Sequence, residues 1–598
     1  MSTAILTGQP VPGSSIEDDL RSLGFDVRTA TDAAEAETLL AEVPFEERVA
    51  LVDARFVGHV HALRLGLTDP RFPLAAIPGA VTAQPAGRQA LTRAMARENS
   101  AGGGTTLVDS LADRILTALD ADGTDVHRPE LGSLVAAVPA DPQARNEARQ
   151  AVAEVDDEAV RLKSAVKSRD GFFTTYCVSP YSRYIARWCA RRGLTPNQVT
   201  TASLLTALIA AACAATGTRG GFVAAGVLLI ASFVLDCTDG QLARYSLQYS
   251  TLGAWLDATF DRAKEYAYYA GLALGAARGG DDVWALALGA MVLQTCRHVV
   301  DFSFNEANHD ATANTSPTAA LSDKLDSVGW TVWVRRMIVL PIGERWAMIA
   351  VLTALATPRI TFYALLIGCA FAATYTTAGR VLRSLTRKAQ RTDRAARALA
   401  DLTDSGPLAE LVSRLRNPRG KILPYTPVLV AALGAALLLV NTVRQGAGGA
   451  ALTAPFYAVL AGCALMQPLK GPLDWLVPPL FRAAEYCTIL LLAAKADVNG
   501  ALPAAFGLVA AVAYHHYDTV YRIRGDAGAP PAWLVRSIGG HEGRTLLVTV
   551  LAALLTASQF TVALTALAVA VALVVLVESI RFWVSAGAPA VHDEGEPA

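Results

Sequence analysis

Long apolar runs separated by short polar turns fill the chain from Gly193 onward, whereas the first 165 residues contain no such run. Runs at 194–215, 220–242, 253–277, 283–304, 345–357 and 360–382 precede a basic, polar stretch. Others follow it at 425–442, 452–468, 474–495, 499–520, 544–558 and 560–583. Several approach the ~20 residues a helix needs to cross a bilayer, so the pattern predicts six spans and then six more. Before them, AILTG, FDVRTAT, VALVDARFV and LAAIPGA read as strands, and SIEDDLRSLG, AAEAETLLAEV and HVHALRLGL as helices. Strand–helix alternation of this kind predicts a soluble α/β domain with a mainly parallel sheet.

Composition sharpens this picture. Hydrophobic residues make up 53% of the 598 and charged residues 18%, which leans towards a membrane protein. The formal charge of -1 offers no electrostatic footprint for nucleic acid. The eight cysteines have no paired spacing and read as small core residues, not as a disulfide or zinc framework. The opening MSTAILTGQPVPGSS lacks a basic n-region and a long apolar core, so it does not read as a secretory signal. Arg183, Arg187, Arg191, Arg192, Arg244, Lys324, Arg335, Arg336, Arg345 and the basic run from Arg380 to Arg397 would share one side of the first six spans. Arg219, Arg278 and Arg359 would share the other. That asymmetry places the first side, with the N-terminal domain, in the cytoplasm. The aromatic and arginine-rich segment 170–193 predicts an interfacial amphipathic helix.

The chemistry concentrates in DCTDGQLARYSLQYSTLGAWLDATFD, where Asp236 and Asp239 close one span and Asp257 and Asp261 open the next. Spacings of three and four put each pair on one helix face. Four carboxylates gathered at a membrane edge repel one another and are driven to protonate unless cations neutralise them. Divalent metal with oxygen ligands is one solution, and a proton relay or an ion pair is another. Gly240, Ala243 and Gly253 leave room for a ligand beside the backbone, and Arg244 stands one turn on, where it can meet a phosphate. Metal, phosphate and a spare carboxylate together point to phosphoryl transfer.

The same stretch resembles the signature of the CDP-alcohol phosphatidyltransferase family, D-x2-D-G-x2-A-R-x8-G-x3-D-x3-D. It is filled by Asp236, Asp239, Gly240, Ala243, Arg244, Gly253, Asp257 and Asp261. The resemblance covers roughly 170–390 and extends to Thr195-Pro196-Asn197. It implies a six-helix membrane enzyme with two magnesium ions, manganese being the alternative, on Asp236, Asp239 and Asp257. Asp261 would add to the metal site and deprotonate the acceptor hydroxyl, which attacks the β-phosphate of a CDP-alcohol so that CMP leaves. Gly240, Ala243, Arg244 and Gly253 would shape the nucleotide site. The N-terminal region resembles, more distantly, the cytidylyltransferase half of bifunctional inositol-phosphate enzymes. There AILTG is followed by QPVPGSS, which has no basic residue to cradle phosphates. A degenerate, non-catalytic domain is expected, with an inositol phosphate as the acceptor the likeness favours. Arg335, Arg336, Arg380 and Arg383 are candidates to hold that phosphate, with membrane anchoring as the alternative. His298, Asp301 and Glu265 either line the cavity or pair between helices.

The expected organisation is therefore a soluble α/β domain at 1–140, a connector and amphipathic helix at 141–193, and a catalytic membrane domain at 194–390. A cytoplasmic linker at 391–424, a second membrane domain at 425–585 and a tail complete it. The second domain reads as a decayed repeat. FDRAKEYAYYAGLALGAA aligns with LFRAAEYCTILLLAA, matching Arg262 to Arg482, Glu265 to Glu485 and Tyr266 to Tyr486. Arg345 matches Arg544, and Thr195-Pro196 matches Thr426-Pro427. Asp257 and Asp261 become Val477 and Phe481, so the second half has lost its metal ligands and could serve as an internal dimer partner. A homodimer is the other arrangement, and membrane lipid is the expected surrounding. A transporter or nucleotide-sensing scaffold is the competing function.

Overall fold

The computed structural model describes residues 2–9, 11–100, 110–167, 170–311, 333, 337–386, 389–415 and 424–585. Its contacts divide into two units. The first holds Met1–Ser168, Pro180–Pro196 and Thr238–Ser250; the second holds Arg169–Ser179, Asn197–Cys237 and Thr251–Ala598. Lys324, Arg335, Arg336 and the tail from 586 lie outside the described residues.

In the first unit, β1 (Ser2–Thr7), α1 (Ile16–Ser22), β2 (Phe25–Ala30), α2 (Ala33–Glu42) and β3 (Arg48–Asp53) alternate as the hydrophobic pattern requires. Then come β4 (Val57–Gly58), α3 (Val60–Leu67), β5 (Leu74–Ile77), β6 (Ala80–Ala83), α4 (Arg88–Ser100), α5 (Leu111–Ala121) and β7 (Ala136–Ala137). The five-stranded sheet runs β2-β1-β3-β6-β5. β1 is parallel to β2 and β3, but β6 is antiparallel to both β3 and β5. The sheet is thus mixed, not mainly parallel. LAAIPGA is not one strand: the chain turns at Pro78-Gly79, with Gly79 at φ 76°, and returns as β6. Such a left-handed conformation suits glycine. Local caps fix the helices, as where the Asp32 carboxylate accepts the Glu35 amide at 2.8 Å to open α2.

The connector expected after residue 140 forms α6 (Pro142–Glu154) and α7 (Asp157–Ser164). No residue of α6 is buried, yet its arginines tie it down: Arg149 donates to the Gly13 carbonyl at 2.8 Å. Arg145 and Arg149 line a cavity of about 120 Å3 with Gly13, Ser14, Ser15 and Phe56. The amphipathic helix α8 (Ser179–Arg191) exposes Tyr181, Tyr184 and Trp188, as an interfacial role requires.

The membrane region opens with α9 (Pro196–Ala215), α10 (Arg219–Ser246), α11 (Thr251–Arg278) and α12 (Trp284–Asn308). It continues with α13 (Ile342–Leu355) and α14 (Pro358–Thr386). After α15 (Asp393–Leu402) and α16 (Pro407–Ser413) come α17 (Thr426–Ala464), α18 (Val477–Ala496), α19 (Ala501–Arg524), α20 (Ala532–Ser537), α21 (Gly540–Leu554) and α22 (Ala557–Ser585). Runs 425–442 and 452–468 are two helices within α17, divided at Gly446, whose φ is 65°, and they pack on each other where Gly434 lies against Tyr457 and Leu460. Among the described residues, six helices are long and apolar enough to cross a membrane: α9, α10, α14, α17, α22 and the helix holding α18. α11, α12 and α19 carry charged side chains in their interiors, and α13 and α21 are short.

Two helix pairs match in length between the two runs: α13 has 14 residues and α21 has 15, while α14 and α22 have 29 each. The same buried ion cluster recurs. Glu265 accepts from Arg262 at 3.0 Å and from Arg345 at 3.1 Å. Glu485 accepts from Arg482 at 3.2 Å and from Arg544 at 2.6 Å. His298 and His515 occupy the same position counted from the starts of α12 and α19, and each joins its cluster. The helices also pack reciprocally, α12 against α18 and α11 against α19. A two-fold interface has that form.

The stretch 391–424 carries structure that its reading as a linker did not anticipate. α15 buries Ala395, Leu399 and Leu402, and Asp404 beyond it enters the core of the second run. Its carboxylate accepts from Arg482 at 3.0 Å, Arg544 at 2.7 Å and His515 at 3.1 Å. Removing one partner from such a network leaves buried charge uncompensated, at a cost of about 3–5 kcal/mol. Asp404→Ala should therefore lower the thermal unfolding midpoint of the detergent-solubilised protein by many degrees. A midpoint unchanged from wild type would show that Asp404 is not a structural keystone.

Candidate active site at the carboxylate hairpin

α10 and α11 form the hairpin that the motif predicts. Its turn begins at Leu247, in the left-handed conformation with φ 52°, and the Gln248 amide donates to the Ala243 carbonyl at 3.0 Å. Backbone bonding of this kind closes a helix and reverses the chain at once. Asp236, Asp257 and Asp261 then converge: each offers an oxygen within 4.8 Å of the others. Asp257 is exposed, whereas the side chains of Asp236 and Asp261 keep 13% and 16% of their exposure. Oxygens from two helices at this separation fit a hard divalent cation.

Asp239, one turn beyond Asp236, is buried, and the triad within 4.8 Å does not include it. Gly240 and Ala243 follow on the same helix. Arg244 donates from Nε to the Ala165 carbonyl at 2.6 Å. Gly253 lies one turn before Asp257 on α11. Nearby, Ser182 donates to the Gln241 amide oxygen at 2.8 Å, which fixes α8 to the end of α10.

Sequence reasoning missed Lys264. It stands on the stripe of α11 that carries Asp257 and Asp261, seven and three residues after them. Its side chain is fully buried. The ammonium pairs with Asp236 and with Asp261, the latter at 2.8 Å, and donates to Ser203 Oγ at 3.2 Å. A lysine within an apolar span was the available signal, since lysine is almost never fully buried unless paired. The polar groups whose role was open turn out to pair between helices. Glu265 joins Arg262 and Arg345, His298 meets Arg262 at 3.2 Å, and Asp301 pairs with Arg380. Arg380 thus has a carboxylate partner.

Residues 193–375 match the family described as CDP-alcohol phosphatidyltransferase. That region is a CDP-alcohol phosphatidyltransferase domain. Residues 393–598 match a family of unknown function (DUF5941). The chain is 35% identical over 131 residues to a phosphatidylinositol phosphate synthase of Streptomyces avermitilis, covering 21% of this chain and 51% of the relative. It is 31% identical over 113 residues to an archaetidylinositol phosphate synthase of Pyrococcus horikoshii, covering 19% and 58%. It is 32% identical over 114 residues to a bifunctional IPC transferase and DIPP synthase of Aquifex aeolicus, covering 19% and 26%. The chain thus spans between a quarter and somewhat over half of these relatives' length.

A phosphatidyltransferase domain whose carboxylates hold a divalent ion should be stabilised by that ion. An ion at a hundredfold excess over its dissociation constant contributes about 2.7 kcal/mol. Saturating magnesium should raise the unfolding midpoint of wild type but not that of Asp236→Asn. Equal shifts in the two proteins would place the ion elsewhere.

Proposed function

We propose that the protein is an integral-membrane CDP-alcohol phosphotransferase. It moves a phosphoalcohol group from a CDP-alcohol, such as CDP-diacylglycerol or a CDP-polyol, to an acceptor hydroxyl, and CMP leaves. The observation that carries this is the complete eight-residue signature, three of whose carboxylates the α10–α11 hairpin brings within reach of one ion. Divalent metal, magnesium or manganese, supplies charge neutralisation at the phosphates when bound. Asp236, Asp239, Asp257 and Asp261 would hold it, with oxygens of Asp236, Asp257 and Asp261 within 4.8 Å of one another. Asp261 takes the proton of the acceptor hydroxyl, whose oxygen forms the new bond to phosphorus as the bond to CMP breaks. Gly240, Ala243 and Gly253 let the nucleotide approach the backbone, and Arg244 offers its guanidinium to phosphate. Relatives named for phosphatidylinositol phosphate and archaetidylinositol phosphate support an inositol phosphate as acceptor. The basic residues of Arg183–Arg192 support a cytoplasmic active site and N-terminal domain. A transporter or sensing scaffold would have no use for a base beside the metal ligands.

The remaining domains take supporting roles. The N-terminal unit is a non-catalytic relative of nucleotidyltransferases: AILTG is followed by QPVPGSS, which has no basic residue to cradle phosphates. The second six-helix run is a decayed copy of the first and serves as its dimer partner within one chain. The recurring Arg–Glu–Arg cluster and the reciprocal packing of α11, α12, α18 and α19 support this.

Asp261→Asn should abolish CMP release while CDP-alcohol binding survives, because it removes the base and leaves three ligands. Release at the wild-type rate would sink the mechanism. The full-length protein incubated with CTP and polyol phosphates should form no pyrophosphate, and sustained pyrophosphate release would give the N-terminal domain a catalytic role.

A further inference from the structure

We infer that Lys264 is a resident cation of the carboxylate site, so that the site takes one divalent ion and not the two that the signature implies. This rests on the metal reading of Asp236, Asp257 and Asp261. An ammonium has three N–H donors and no acceptor. Here all three are engaged, by Asp236, by Asp261 and by Ser203 Oγ at 3.2 Å. The acceptors come from α9, α10 and α11, so the charge is fixed from several directions. Behind it the site is closed. Ser203 is buried and exchanges hydrogen bonds of 2.8 Å with Ser232, and the Trp346 ring centre lies 5.5 Å from Nζ. A side chain so enclosed has no exit to water when an ion arrives, and its charge already sits on two of the three clustered carboxylates.

The second six-helix run supplies an internal control. Its Arg482, Glu485 and Arg544 keep the cluster formed by Arg262, Glu265 and Arg345. Asp257 and Asp261 have become Val477 and Phe481, and the residue aligned with Lys264 is Ala484. Counted from Pro196 and Pro427, Gly434 takes the place of Ser203. The lysine and its hydroxyl acceptor are lost together with the carboxylates, while the neighbouring ion cluster is kept. A lysine that served packing or general helix pairing would have no reason to follow the carboxylates. Lys264 therefore belongs to the cation site.

The test is a count of bound ions. Manganese titrated into the full-length protein in detergent, followed by electron paramagnetic resonance and elemental analysis, should give one ion per chain with no spin-coupled pair. Lys264→Met keeps the bulk of the side chain and removes its charge. It should double the count to two and introduce the coupled-pair spectrum. Two ions in wild type would overturn the inference, and so would a count of one in a folded Lys264→Met. If Lys264→Met does not fold, the wild-type count decides alone. No ion bound by either protein would remove the metal reading itself, and the inference with it.

Discussion

Three carboxylates with oxygens within 4.8 Å of one another cannot stay ionised unless positive charge stands among them. Everything else about the α10–α11 hairpin follows from that constraint. The left-handed turn at Leu247 reverses the chain tightly enough for the end of one helix to face the start of the next. Helical spacings of three and four then align the acids on facing stripes. Lys264 supplies a positive charge from within the fold, and a divalent ion would add the rest. A site that gathers cations would also attract phosphates through them, as the proposed phosphoalcohol transfer needs.

The same electrostatic economy runs deeper in the bundle. Glu265 sits between Arg262 and Arg345, and Glu485 between Arg482 and Arg544, each in a nearly dry interior. Buried ions of this kind are weak sources of net stability but severe penalties for misplacement. They therefore hold α11 to α13, and α18 to α21, in one register. In the second run Asp404 adds another carboxylate to the arginines and closes that core from the preceding segment. The first run has Asp257 and Asp261 at the hairpin, where the aligned positions of the second hold Val477 and Phe481.

Much of this was legible in the sequence, for physical reasons. Long apolar runs and their charged ends located the helices, and the carboxylate spacings located the hairpin. Arg262, Glu265 and Arg345 were visible as repeated letters before they were visible as a cluster. What was not legible depends on contacts far apart in the chain. The antiparallel β5–β6 hairpin hid inside one apolar run, because strand alternation carries no sign of direction. Asp404 looked like a linker residue, since nothing local reveals that a polar segment docks on buried arginines. Lys264 looked like an anomaly in FDRAKEY, because its partners Asp236 and Ser203 lie 28 and 61 residues away.

The central claim is that the bond broken lies between the two phosphates of a CDP-alcohol, with the alcohol's phosphate moving to the acceptor. A CDP-alcohol labelled with radioactive phosphorus at the phosphate next to the alcohol tests it directly, with magnesium and a panel of polyol and inositol phosphate acceptors. The account predicts that the label appears in the acceptor product and that the CMP released is unlabelled, in equal amounts. Label retained on the nucleotide, or no transfer to any acceptor by a protein shown to bind the donor, would contradict it.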